Sequence, residues 1–447
     1  MAGIDEDRVK AVLPALSLGL LTAAFIIAKT GRDALFFQGK GIFQLPVATL
    51  TIATASLPLA ILFVKAMKTW GARPARIGIL LLAAAVIALS APFLHPGDSL
   101  LLFNIFMFIP SVFGILFASL CLLASDIFEK TPKREVARAF TKIGASSLAG
   151  GMAGGFVAKG LAAHLDPRWL VFVGALVVLV VVGLVVTMHR RFPTNIAPKK
   201  AGDGKKPGYL APLSNRYALT LLLISMAGAL AGLLIDVQFY IMATGANTGP
   251  EGNANFFANF YIMLNFSSLL LQLFAAPKIQ DRIGIRGGLM VLPFALIGGA
   301  TIATTAATAL SRSILKVTEG GLRSSIHRSI WEQAFIAVDS SERSFVKIAV
   351  DGVGARIAEG IGATVLFFWV QRVAPGGVPA GPLDTSWMTW LTLATVIAWL
   401  IVTQRLRAQI QKDVGGSQLA PALSKNIDCV RFPDQCPCTT ELGKGIA

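Results

Sequence analysis

The chain has 447 residues, 54% of them hydrophobic and 14% charged, with a net charge of +16 and a mean hydropathy of +0.67. Soluble domains carry about 25% charged residues, so a soluble enzyme or nucleic-acid-binding domain is excluded and a polytopic membrane protein is expected. The positive excess falls largely in short loops, where orientation in the bilayer is its simplest cause.

Apolar runs long enough to span a bilayer occur at 11–30, 43–64, 75–94, 99–126, 143–163 and 169–188. Six more lie at 217–241, 255–276, 286–304, 305–328, 344–370 and 386–404. This predicts about twelve transmembrane helices in two sets of six. Expected domains are a first bundle (1–188), a basic linker (189–216), a second bundle (217–404) and a tail (405–447). Lys65, Lys68, Arg73 and Arg76, then Lys130, Lys133, Arg134 and Arg138, crowd alternate loops, whereas 95–98 and 242–254 carry no Lys or Arg. By the positive-inside rule both termini are expected in the cytosol, with the chain integral to the inner membrane of a bacterium. The polar, acidic-leaning start at 1–10 and the long first run predict no cleavable signal peptide.

The halves repeat one another. Arg138-Ala-Phe-Thr-Lys-Ile matches Arg343-Ser-Phe-Val-Lys-Ile, an offset of 205 (343 − 138). Asp33-Ala-Leu-Phe-Phe matches Asp236-Val-Gln-Phe-Tyr at 203 (236 − 33), and Trp70-Gly-Ala-Arg pairs more weakly with Ile283-Gly-Ile-Arg. Both long openings lead into a glycine-rich helix: Gly150, Gly151, Gly154 and Gly155 in one half, Gly352, Gly354, Gly360 and Gly362 in the other. These glycines are expected to serve close helix packing. Six helices repeated in one orientation predict an all-α fold of the major-facilitator type, with a central cavity between the halves.

The unusual stretch is 305–328. Arg312, Lys316, Glu319, Arg323 and His327 recur at steps of four, three, four and four, which places them on one stripe of a helix. Ionisable groups at bilayer depth are costly unless they face water or a partner. A cavity for a polar, anionic solute is the preferred explanation; a cytosolic amphipathic helix with a solvated face is the alternative. At the 205 offset Lys316, Glu319 and Arg323 fall opposite Ser111, Gly114 and Ala118, so the stripe belongs to the second half alone.

Lys347, Asp351, Arg356 and Glu359 lie on the eleventh helix, with Asp351 and Glu359 expected near one face. Lys347 is read as a gate residue oriented by Asp351 one turn away, and Lys142 is its equivalent in the first half. Lys29, Arg32 and Asp33 close the first helix. The two cations either reach a substrate anion or snorkel to the interface, while Asp33 and Asp236 serve helix-end contacts or gate salt bridges. Arginine binds phosphate or carboxylate bidentately and lysine adds a mobile point charge. Glu319 and Glu359 would balance that charge or take up protons.

No catalytic constellation, cofactor motif or metal spacing is present. Cys121 is read as packing, and Cys429, Cys436 and Cys438 give three thiols where a structural zinc site wants four ligands. A monomer is expected, with the lipid bilayer and a small anion as partners and no nucleic acid.

The run Arg323-Ser-Ser, then Trp331-Glu332-Gln-Ala-Phe-Ile, then Lys347-Ile-Ala-Val-Asp351 resembles the ATP/ADP translocase (nucleotide transporter) family of plastids and intracellular bacteria. There a Lys-Tyr-Ser, a Lys-Glu-Met-Ala-Tyr-Ile-Pro and a Lys-Ala-Ala-Ile-Asp occur in the same order. Arg32-Asp33 and Ala137-Arg138-Ala-Phe are similar to that family's Lys-Asp and Ala-Lys-Lys-Phe. The resemblance implies a nucleotide among the candidate anions, with exchange of ATP for ADP, and makes Arg323, Glu332, Lys347 and Asp351 the candidates for substrate contact or gating. The chain departs from the pattern near Pro110, where the family has an acid, and at Glu359, where it has a lysine. A proton-coupled carrier of another solute, or a non-transporting membrane scaffold, remains as the alternative.

Overall fold

The computed structural model describes residues 2–38, 41–96, 100–128, 133–192, 216–246, 249–306, 308–335, 338, 346–374 and 385–416. Every element among them is helical. The first half comprises α1 (Ala2–Phe36), α2 (Gly41–Trp70), α3 (Ala72–Ser90), α4 (Leu100–Ile127), α5 (Lys133–Ala162) and α6 (Pro167–Arg191). The second comprises α7 (Arg216–Ala246), α8 (Gly249–Leu270), α9 (Ala276–Thr305), α10 (Ala309–Leu322), α11 (Arg328–Ala334), α12 (Ala355–Val373) and α13 (Ser386–Gly416). Most of the expected linker, and the thiols Cys429, Cys436 and Cys438, lie outside the described residues.

Ten of these helices are long and apolar enough to cross a membrane. The two expected segments that fall short are α5, rich in Gly, Ala and Ser, and the charged helix that begins with α10. Both are nonetheless packed into the bundle. This is an integral membrane protein of twelve expected spans, and its outer surface is apolar: Leu89, Phe368 and Leu82 are 74%, 67% and 59% exposed. Hydroxyls inside the helices return to the preceding turn, as Thr30 Oγ1 does to Ile26 O at 2.8 Å and Thr392 Oγ1 to Met388 O at 2.7 Å. In a lipid environment that closes a donor which water cannot serve.

Boundaries differ from expectation in three places. The segment 277–285 stays helical within α9, and α13 runs to Gly416, twelve residues past the predicted end. The pairing of Gly71 with Gly284 fails in conformation. Gly71 has φ +91° and breaks α2 from α3, whereas Gly284 lies in helical backbone.

Close glycine contacts join α1 to α5. A Cβ on Gly150 would lie 2.0 Å from Gly19 O, and one on Gly154 2.7 Å from the Cα of Ala23. On its other face α5 meets α8 of the second half, with Gly151 against Asn265 and Gly155 against Ile262. The second contact between halves pairs α2 with α12, where Gly360 faces Leu50. Phe37 stacks on Tyr240 with ring centroids 4.2 Å apart. These contacts run from the end where α1 terminates to about mid-depth. Two turns further along α5, a Cβ on Gly144 would meet open space. The described contacts between the halves thus gather from the end where α1 terminates, the closed end, to about mid-depth.

Candidate functional site

Four charges alternate in sign between α7 and α10. Lys316 Nζ lies 2.6 Å from Asp236 Oδ1 and 2.7 Å from Glu319 Oε2. Arg323 Nε donates to the other oxygen of Glu319, and its Nη2 donates to Gly228 O at 2.7 Å. The Glu319 side chain is 4% exposed and that of Lys316 14%, whereas Asp236 opens to 40%. A pair this deep is stable only because each ion has partners on two sides.

Position 232 shows how α7 makes room. A Cβ there would lie 3.1 Å from Arg323 Nη2 and 3.4 Å from Glu319 Oε1. Gly228, Gly232 and Asp236 stand four apart and form one face of α7 that accepts the ions of α10. Sequence reasoning matches Asp236 to Asp33 but leaves it out of the site. The small-residue stripe preceding it is the available signal.

The charges of α12 sit beside this chain. Arg356 Nη1 donates to Glu359 Oε2 at 2.6 Å, and the field at Glu359 includes Arg323 and Asp236. From the first half, Lys29 faces the same region, with Asp33, Arg32, Asp236 and Lys316 as the charges acting on it. Its Nζ stands 4.6 Å from the centroid of the Tyr261 ring and 5.9 Å from that of Phe25. Among the described residues no carboxylate lies within ion-pair distance of Lys29, while Lys316 has two and Arg323 and Arg356 have one each.

Arg32 does not snorkel but pairs with Asp33, the two side chains being 3% and 0% exposed. Arg32 also donates to Phe106 O at 3.0 Å and lies 4.2 Å over the Phe106 ring. The outer oxygen of Asp33 accepts from Tyr261 Oη at 2.8 Å and from Tyr240 Oη at 3.4 Å. Both tyrosines belong to the second half and escape notice in the sequence, where they read as aromatic packing.

Several expectations need correction. The stripe reaches His327 through a wide π-helical turn, Arg323–His327, and ends there among aromatic rings and not on an ion. The extra residue in that turn rotates the next helical turn about its axis, and His327 stacks on Trp331 (5.8 Å) with Trp399 edge-on at 5.6 Å. Arg312, one turn before Lys316, is partly buried. A second π-helical stretch, Ile348–Gly354, contains Asp351, and the two acids have different partners: Trp331 for Asp351 and Arg356 for Glu359. Asp351 Oδ1 accepts from Trp331 Nε1 at 2.9 Å and does not orient Lys347. Lys347 instead pairs with Glu332 of its own half, both side chains well exposed at 39% and 52%. Glu332, Lys347 and Asp351 thus form a separate cluster where α11 meets α12, away from the α7–α10 ions.

An exposed pair of this kind contributes about 0–1 kcal/mol. Lys347→Ala is expected to leave the thermal midpoint of the purified protein nearly unchanged. A loss comparable to that of a buried pair would show that Lys347 is held in a dry interface.

A family model for the Major Facilitator Superfamily matches residues 11–322. No curated protein sequence matches the chain. Among solved structures, a point mutant of the nucleoside transporter NupG superposes with a TM-score of 0.64 at 13% identity, over 89% of this chain and 99% of that one. The POT family transporter PepTSo gives 0.62 at 13% identity, over 89% and 98%, and an auto-inhibited POT family peptide transporter gives 0.61 at 11%, over 88% and 97%. At such identities the likeness is one of fold, shared across structures whose names cite different substrates. The matched model and the fold agree, and the chain belongs to the Major Facilitator Superfamily.

Proposed function

We propose that the chain is a secondary transporter of a small organic anion, moved by alternating closure of the two halves around the Lys29–Lys316–Arg323 region, with a nucleotide the first candidate. The observation that carries the reading is Lys29. Among the described residues it is the cation of the site without a carboxylate in ion-pair range. It projects from the first half toward the ions of the second, and its nearest neighbours are aromatic rings. A lysine held over ring faces at bilayer depth keeps its charge at a cost that an incoming anion relieves. Charge-assisted bonds of this kind are worth about 1.5–3 kcal/mol. The nucleoside-transporter name of one structural relative and the resemblance to ATP/ADP translocases make adenine nucleotides the first solutes to test.

The basic loops support cytosolic termini in a bacterial inner membrane, which would make the closed end the outer one and this conformation inward-facing. Exchange of ATP for ADP is one mode. Proton-coupled uptake is the other, and buried Glu319 and half-buried Glu359 are the acids that would carry the proton.

The test is uptake of radiolabelled ATP by proteoliposomes preloaded with ADP, repeated with other anions and with an imposed proton gradient. Lys29→Gln is expected to reduce uptake at limiting substrate at least roughly tenfold, the equivalent of about 1.4 kcal/mol. Uptake of the preferred anion that is indifferent to Lys29 removes this residue from the site. Failure of every anion tested with folded protein favours the scaffold.

A further inference from the structure

Asp33 divides its carboxylate between the halves. One oxygen is taken by Arg32 of its own helix, and the other accepts hydroxyls from Tyr261 of α8 and Tyr240 of α7. The carboxylate is fully buried, and α1 ends only three residues later. Phe37 caps the same spot by stacking on Tyr240. Opening the bundle at this end must pull both tyrosines from Asp33, because the hydroxyls and the carboxylate sit on opposite halves.

The Tyr261 ring also carries Lys29. Its hydroxyl is bound to Asp33 while its face lies 4.6 Å below the Lys29 ammonium. Lys29 and Asp33 are four residues apart on α1, so a single side chain of the second half touches both at once. The substrate-facing cation and the contact closing the bundle are joined through one ring.

We propose that Tyr261 is a positioning residue that couples occupancy of Lys29 to release of the closed end, with Asp33–Tyr261–Tyr240 as the latch. An anion drawing the Lys29 ammonium off the ring removes the cation that holds Tyr261 in place, and the hydroxyl's grip on Asp33 loosens. Without the anion, Lys29 returns to the ring and the latch closes. The coupling half of this inference rests on the anion-carrier reading above; the latch half does not.

The experiment measures the spacing of the halves directly. In full-length protein with native cysteines replaced, spin labels are placed at His164→Cys, beyond α5, and Glu251→Cys, at the start of α8. Both positions are exposed. Tyr261→Phe keeps the ring under Lys29 and removes only the hydroxyl. It is expected to raise the long-distance population at least threefold over wild type. ATP, AMP or inorganic phosphate is expected to produce a similar shift in wild type and none in Lys29→Gln. Tyr261→Phe should keep the anion's half-saturation concentration while changing the maximal transport rate, whereas Tyr261→Leu changes both.

A Tyr261→Phe distance distribution identical to wild type overturns the latch, whatever the protein transports. A shift in Tyr261→Phe with no response of wild type to any of the three anions keeps the latch and overturns the coupling to Lys29. An anion response that survives intact in Lys29→Gln overturns the coupling as well, while leaving anion transport itself in place.

Discussion

Glu319→Gln is expected to lower the unfolding free energy by about 3–5 kcal/mol, the cost of removing one partner from a buried ion pair. Glu319 stands between Lys316 and Arg323, so its neutralisation leaves a largely buried lysine and a partly exposed arginine facing each other across an amide. Asp236 then holds Lys316 alone, and Arg323 keeps only the carbonyl of Gly228. Lys316→Met should cost a similar amount for the opposite reason, since Asp236 and Glu319 would be left without the cation between them. The sign alternation makes a further consequence testable. Removing Lys316 together with Glu319 leaves Asp236 and Arg323, one charge of each sign, and should cost less than the two single changes added. Thermal unfolding of the detergent-purified protein, with each variant first shown to be monodisperse, measures all three. Midpoints of the two single variants within experimental error of wild type would mean that water, not protein, surrounds these ions.

The part of this site that is legible in the sequence is the part that obeys a regular helical period. Lys316, Glu319 and Arg323 lie at steps of three and four on an uninterrupted helix, and they come together as that spacing requires. The same spacing does not show that the turn leading to His327 is widened, and the widening has a physical reason. Gly320-Gly321 precedes Ser324-Ser325, and both serines bond back one turn, Ser324 Oγ to Gly320 O at 2.7 Å and Ser325 Oγ to Gly321 O at 2.5 Å. Glycine pairs and back-bonding serines bend helices, and here the turn widens where they meet. Asp351 lies within a second π-helical stretch, Ile348–Gly354, where it meets Trp331, whereas Glu359 pairs with Arg356.

Contacts across the halves are harder still. Nothing in the local pattern tells that Tyr261 reaches Asp33, 228 residues away, or that the partner of Lys347 is Glu332 and not the acid one turn along its own helix. Resemblance to the nucleotide translocases points to Glu332, Lys347 and Asp351, and the geometry collects these three into their own cluster. The repeat signal fares better. It places Asp33 and Asp236 on the first helices of the two halves, but Asp33 lies three residues from the end of its helix and Asp236 ten. One is sealed between tyrosines and the other is half exposed beside Lys316, because the stripe of ions on α10 has no counterpart on α4.

Gly150→Val is expected to prevent assembly of the first half. A Cβ there lies 2.0 Å from the backbone oxygen of Gly19, inside the distance that any real carbon tolerates. Backbone, unlike a side chain, has no rotamer by which to move aside, so α1 and α5 would have to separate along their length. That separation would be transmitted, because the opposite face of α5 packs on α8 through Gly151 and Gly155. Overpacking of an adaptable core costs about 1–3 kcal/mol, and a contact against backbone on one side with a second interface behind it should exceed that range. Gly144→Ala is the matched control on the same helix. Its added methyl meets nothing within 4 Å, and alanine is favoured over glycine in a helix by up to about 1 kcal/mol. The yield of monodisperse protein after membrane extraction should therefore fall to near zero for Gly150→Val and stay at or above wild type for Gly144→Ala. Equal yields from the two variants would place α5 further from α1 than described, and the close packing inside the first half would not hold. The contrast between these two glycines, six residues apart on α5, sets a contact with α1 tight enough to forbid a methyl against a position with open space beside it.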